Sequence, residues 1–115
     1  MAIIEGNSII KSVSGLNKTE KDKIMCFLQG AVYCWCKNNC NQWFSLSDLM
    51  GGLNYLWEGT PLFVLWVKHK NNESKDPVIA AGKDAGWLLK ETLQLDKRNY
   101  SNRKSFKSNE YLYIP

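Results

Sequence analysis

Apolar residues recur at three- and four-residue steps through Ile24, Phe27, Leu28, Ala31, Val32 and Trp35, the spacing of one buried helical face. Just upstream, Asn17-Lys18-Thr19-Glu20 carries the N-cap and N3 residue types of a capping box. A helix is expected from about residue 17, ending at Asn38-Asn39, since Asn tolerates the left-handed backbone at a helix terminus. A second start lies in Phe44-Ser45-Leu46-Ser47-Asp48-Leu49. There Ser45 can cap, Asp48 complements the helix dipole, and Phe44 can staple onto Leu49. Gly51-Gly52 predicts a stop after little more than one turn.

Thr60-Pro61 is a cap followed by proline at the first helical position, which predicts a third helix ending near Lys70-Asn71. Residues 62–67 are apolar on every side and include β-branched Val64 and Val67, so a buried strand is the alternative. Asp76-Pro77 repeats the cap-and-proline signal, and Val78, Ala81, Ala85, Leu88, Leu89 and Leu93 keep a helical register to about Gln94. Gly82 and Gly86 inside it each cost about 1 kcal/mol relative to Ala. Four apart, they share a face that would admit another backbone; a break near Gly82 is the alternative.

The two ends lack helical periodicity. Ile3-Ile4 and Ile9-Ile10, separated by Gly6, Asn7 and Ser8, suit a short strand or a packed arm. Past Leu95, Lys97-Arg98-Asn99-Tyr100 and Asn109-Glu110-Tyr111-Leu112-Tyr113-Ile114 read as two short strands, and the polar residues between them suit an exposed loop. The expected architecture is one domain over residues 1–115, mainly α with a C-terminal β-hairpin. It comprises an arm over 1–16, a helical core over 17–94 and a basic hairpin over 95–115.

Composition supports a self-sufficient core: 44% of the 115 residues are apolar, with five Trp, five Tyr and four Phe, so no metal or disulfide staple is needed. No segment approaches the roughly 18 apolar residues of a membrane span, and residues 1–6 lack the pattern of a secretory signal. A cytoplasmic location follows as the expectation, with Cys26, Cys34, Cys36 and Cys40 as reduced thiols. The net charge of +4 is unevenly placed. Lys97, Arg98, Arg103, Lys104 and Lys107 fall in one stretch without an acidic residue, which leaves the rest of the chain near neutrality.

That basic stretch is the strongest functional signal. Phosphate backbones attract Lys and Arg through charge and counterion release, and Tyr100 and Phe106 offer faces for sugars or bases. A basic hairpin after several helices, one of them the short Ser45-to-Leu49 element, resembles a winged helix-turn-helix domain in element order over residues 17–115. The resemblance implies a non-enzymatic DNA-binding protein whose hairpin acts as the wing. The Phe44-to-Leu49 element would be the scaffold helix, and the helix from Pro77 would supply base readout through Lys83 or Lys90. Two features depart from that pattern: the segment after Thr60 is very apolar for a recognition helix, and residues 52–59 make a long turn. The competing reading of the cations is a solvated edge that blocks strand-to-strand aggregation.

Other constellations are weaker. The cysteine spacing C-x7-C-x-C-x3-C lacks the tight pairs of structural zinc, although Cys36 and Cys40 lie one helical turn apart and folding could bring His69 to them. Glu73-Ser74-Lys75 matches the E-x-K of metal-dependent nucleases but sits in a polar stretch. His69, the only histidine, lies near a helix end and is expected on terminal carbonyls. No catalytic residue, metal or cofactor is expected. Trp43, Tyr55 and Trp57 flank the short helix and would anchor a protein partner if exposed, as in a small phage or mobile-element factor docking on a host protein. Otherwise they close the core.

Overall fold

The computed structural model describes residues 3–7, 9–51, 56–105 and 108–115. Helix α1 (Lys18–Asn38) begins where its capping box places it. Asn17 Oδ1 accepts from the Glu20 N–H at 2.8 Å, and Glu20 Oε1 accepts from the Asn17 N–H at 3.0 Å. Ile24, Leu28 and Val32 form its fully buried face. The far end differs from the expectation. Asn39 is not left-handed (φ −134°), because its N–H still donates to the Trp35 carbonyl. The side chains of Asn38 and Asn39 satisfy the last carbonyls instead, and the left-handed turn falls at Asn41 (φ 61°).

Helix α2 (Leu46–Leu49) is capped reciprocally by Ser45 and Asp48, and Gly51 (φ 82°) turns the chain away as expected; Gly52 lies outside the described residues. Helix α3 (Phe63–Asn71) resolves the ambiguity of the apolar run in favour of helix, starting two residues after Pro61. Thr60 does not cap it. Its hydroxyl donates to the Trp57 carbonyl at 2.8 Å and accepts from the Leu62 N–H, closing a turn that precedes the helix. Helix α4 (Pro77–Leu95) starts under an Asp76 cap and runs unbroken through Gly82 and Gly86. A Cβ at Gly86 would meet open space, so no backbone approaches there.

Strands β1 (Ile3–Glu5), β2 (Asn99–Lys104) and β3 (Asn109–Ile114) form one sheet in that order, β1 parallel and β3 antiparallel to β2. The hairpin expected from sequence is therefore the larger part of a three-stranded sheet, completed by the N-terminal arm. Residues 101–104, which read as loop, continue β2: pairing with β3 satisfies their backbone, and the Ser101 hydroxyl donates to Glu5 at 2.6 Å. Gly6 (φ 88°) ends β1 against β2, where a Cβ would collide with the Asn102 carbonyl.

Helix α4 lies at the centre. It packs on α1 and α3, burying Ala81, Ala85, Leu88, Leu89 and Leu93. Phe44 carries the core to the sheet. It exchanges two 2.8 Å backbone hydrogen bonds with Tyr111 of β3, and its fully buried ring meets those of Trp35, Tyr100 and Tyr111. Helices make up about half of the chain, and the 13.7 Å radius of gyration suits one domain, for which about 13 Å is expected. No described helix is long and apolar enough to cross a membrane.

Truncating Phe44 to Ala should cost about 3–5 kcal/mol in urea denaturation, since it empties the junction between helices and sheet. Leu95→Ala, at a side chain 71% exposed, should stay within about 0.5 kcal/mol.

Candidate functional site

Pairing fixes which side chains share a face of the sheet. Tyr100 opposite Tyr113, Asn102 opposite Tyr111 and Lys104 opposite Asn109 point one way, and buried Tyr100 and Tyr111 mark that side as the core. Asn99 opposite Ile114, Ser101 opposite Leu112 and Arg103 opposite Glu110 point outward. Trp43 precedes Phe44, so alternation along that bridge sends it outward too. There the Arg103 guanidinium lies 4.1 Å from the Trp43 ring centroid and its Nε donates to Glu110 at 2.8 Å.

The cations read from sequence have unlike surroundings. Lys97, in the bend before β2, and Lys104, the last residue of β2, are exposed, and neither has an ion-pair partner among the described residues. Arg103 is ion-paired yet keeps 53% side-chain exposure. Arg98 is half-buried between two tyrosine rings, 4.1 Å from the Tyr33 centroid and 5.0 Å from that of Tyr113. Lys83 is exposed on α4, and Lys107 lies outside the described residues.

Lys90 departs from its expected place: it is 2% exposed, its ammonium 5.6 Å from the Trp87 centroid, and burial pushes its pKa down. Of the two α4 lysines expected to read bases, Lys90 is therefore turned inward and Lys83 alone is exposed. The helix is core on most of its circumference, and its charges tie helices together. Asp84 accepts from Lys68 at 2.6 Å and contacts His69 Nε2 at 2.7 Å, while Glu91 pairs with Lys21 at 2.8 Å. His69 therefore bonds a carboxylate rather than terminal carbonyls. Lys68 also donates to the Ser14 carbonyl at 2.6 Å, fastening the N-terminal arm to α3.

The other candidates separate in space. Trp57 is 6% exposed and belongs to the core, and Trp43 is partly exposed under Arg103; Tyr55 lies outside the described residues. Cys36 and Cys40 stand at the end of α1 and His69 is on α3, so the three are not brought together. Among the described residues no group of three or more His, Cys, Asp or Glu is placed to hold a metal. Glu73 and Lys75 are exposed in the turn between α3 and α4.

Asp96, the residue sequence reasoning passed over, organises this region. It caps the C-terminus of α4 and is 3% exposed. Tyr33 of α1 donates to its Oδ1 and Tyr100 of β2 to its Oδ2, both at 2.6 Å, and the Arg98 N–H adds a 3.4 Å contact. Burial works to raise the Asp96 pKa. The hydrogen bonds from Tyr100, Tyr33 and the backbone outweigh it, and the net shift is downward. Tyr33 is pushed up by its bond to Asp96 and by burial, and Tyr100 by burial and then by Asp96. One signal was legible: an acid at a helix C-terminus opposes the macrodipole, so something else must be using it.

No protein family, curated protein or solved structure matches the chain.

Because the folded pKa of Asp96 lies below its unfolded value of about 3.9, its stabilisation is present above that pH and is lost as pH falls through the folded value. Asp96→Asn should cost about 2–3 kcal/mol at neutral pH. In urea titrations the gap to wild type should narrow below about pH 4; a constant gap would count against the assignment.

Proposed function

We propose that this chain is a small non-enzymatic DNA-binding domain of winged-helix type that grips duplex phosphates through its C-terminal hairpin. The carrying observation is the set of exposed cations in and just before β2: Lys97 in the connection from α4, and Arg103 and Lys104 at the far end of the strand. Duplex DNA carries one phosphate charge per about 1.7 Å of helix axis, so cations placed before and at the far end of one strand suit a backbone better than a compact anion. The Phe44–Tyr111 bridge supports the winged-helix reading, because it sets a one-residue strand between α1 and α2 against the hairpin. The parallel β1 and the buried α4 are departures from that pattern. With α4 interior, contacts run to phosphates, which position a protein on the duplex without specifying sequence.

A protein partner is the second reading, favoured by Trp43 beneath Arg103, since Trp and Arg dominate binding hot spots. Association that survives nuclease digestion and is lost in Trp43→Ala would select it.

The DNA reading is tested by titrating a short fluorescent duplex with wild type and the triple variant K97Q/R103Q/K104Q. Three lost phosphate contacts should reduce the slope of log affinity against log salt by about 2.7 and weaken binding most at low salt. Equal affinity and an unchanged slope would overturn the proposal.

A further inference from the structure

We propose that Arg98 anchors a phosphate-binding site, its guanidinium held between the rings of Tyr33 and Tyr113 with its donor edge open. The clamp is built from three elements: Tyr33 comes from α1, Tyr113 from β3, and Arg98 from the connection between α4 and β2. Asp96 holds the Tyr33 wall directly and the Tyr113 wall only through Tyr100. The Tyr33 hydroxyl donates to Asp96 and accepts from Gln29 Nε2 at 3.1 Å. Tyr113 packs at 5.9 Å on Tyr100, whose hydroxyl holds the other Asp96 oxygen.

Stacking covers the faces of a guanidinium and leaves its rim of five N–H donors. Among the described residues no carboxylate or carbonyl accepts from that rim. Arg103 is the contrast: it too stacks on an aromatic ring, but Glu110 takes its Nε–H. Asp96 is near Arg98 in sequence, yet two tyrosine hydroxyls and a backbone N–H occupy its oxygens. Arg98 has only its orientation fixed.

Phosphate fits this setting better than a lone carboxylate. The fork of an arginine matches two phosphate oxygens at once, and a doubly charged group can engage further cations. Exposed Lys97 adjoins Arg98 in the chain, and exposed Lys37 lies one helical turn beyond Tyr33 on the same face of α1. Ring walls that immobilise the guanidinium also reduce the side-chain entropy lost when it binds. The source of the phosphate, a nucleic-acid backbone or a free phosphate, rests on the preceding proposal; the site itself does not.

The test follows the Arg98 Nε–Hε resonance of the isotope-labelled wild-type chain by NMR. Inorganic phosphate, chloride at matched ionic strength and a short DNA duplex are titrated separately. Arg98→Lys, which keeps the charge and loses the fork, is measured beside wild type, with urea denaturation to establish that it folds. A saturable shift with phosphate and duplex, not reproduced by chloride, is expected, together with a loss of duplex affinity of about tenfold or more in Arg98→Lys. A shift with phosphate alone upholds the site and makes free phosphate, not a nucleic-acid backbone, its ligand, while the triple variant still decides DNA binding by the chain. No shift with phosphate or duplex, or the same shift with chloride, overturns the site, even if the triple variant has lost DNA binding; where duplex does shift the resonance, duplex binding by a folded Arg98→Lys equal to wild type overturns it too.

Discussion

A carboxylate buried at the wrong end of a helix is the constraint around which the C-terminal half is arranged. Asp96 closes α4 at the pole where the dipole disfavours a negative charge, and it is almost fully enclosed. An isolated ion there would cost several kcal/mol. It is tolerable because two tyrosine hydroxyls from different elements reach it at 2.6 Å. Charge-assisted bonds of this kind are short and roughly twice as strong as neutral ones. Tyr33 cannot make its bond unless α1 packs on α4, and Tyr100 cannot make its own unless β2 starts in the right register. The bond network thus couples helix packing to strand placement.

Phe44 performs the corresponding task with apolar surface. It lies between α1 and α2, bonds its backbone to β3 and inserts its ring among Trp35, Tyr100 and Tyr111. Directional bonding at Asp96 and ring packing at Phe44 meet at Tyr100, which takes part in both. The sheet is therefore a continuation of the core rather than an appendage to it.

Among the described residues, cations stand in unlike settings. Lys21 and Lys68 join helices through Glu91 and Asp84. Lys90, Arg98 and Arg103 lie over aromatic rings, where the quadrupole of the ring face attracts them. Lys97, Lys104, Lys83 and Lys37 remain exposed. A positive net charge cannot distinguish these groups, yet only exposed or open-edged cations can meet an external anion. The surface able to meet an anion is consequently narrower than the basic stretch of the sequence.

Local interactions were legible in the sequence. Asn17 with Glu20, Ser45 with Asp48, and Asp76 with Pro77 each operate within four residues, so helix starts follow from the chain alone. So do the buried faces of α1 and α4, which periodicity states directly. Thr60 shows the limit of such signals, because a nearby carbonyl captured its hydroxyl for a turn instead. What tertiary structure decided involves partners far apart in the chain. Glu5 lies beside Ser101, Lys68 reaches Asp84 and Ser14, and Tyr33 meets Asp96 across 63 positions. Those contacts turned the N-terminal arm into a strand, placed Lys90 inside and left the Arg98 rim open. Residue type and spacing encode what a side chain can bond; which bond forms depends on the surfaces that burial brings together.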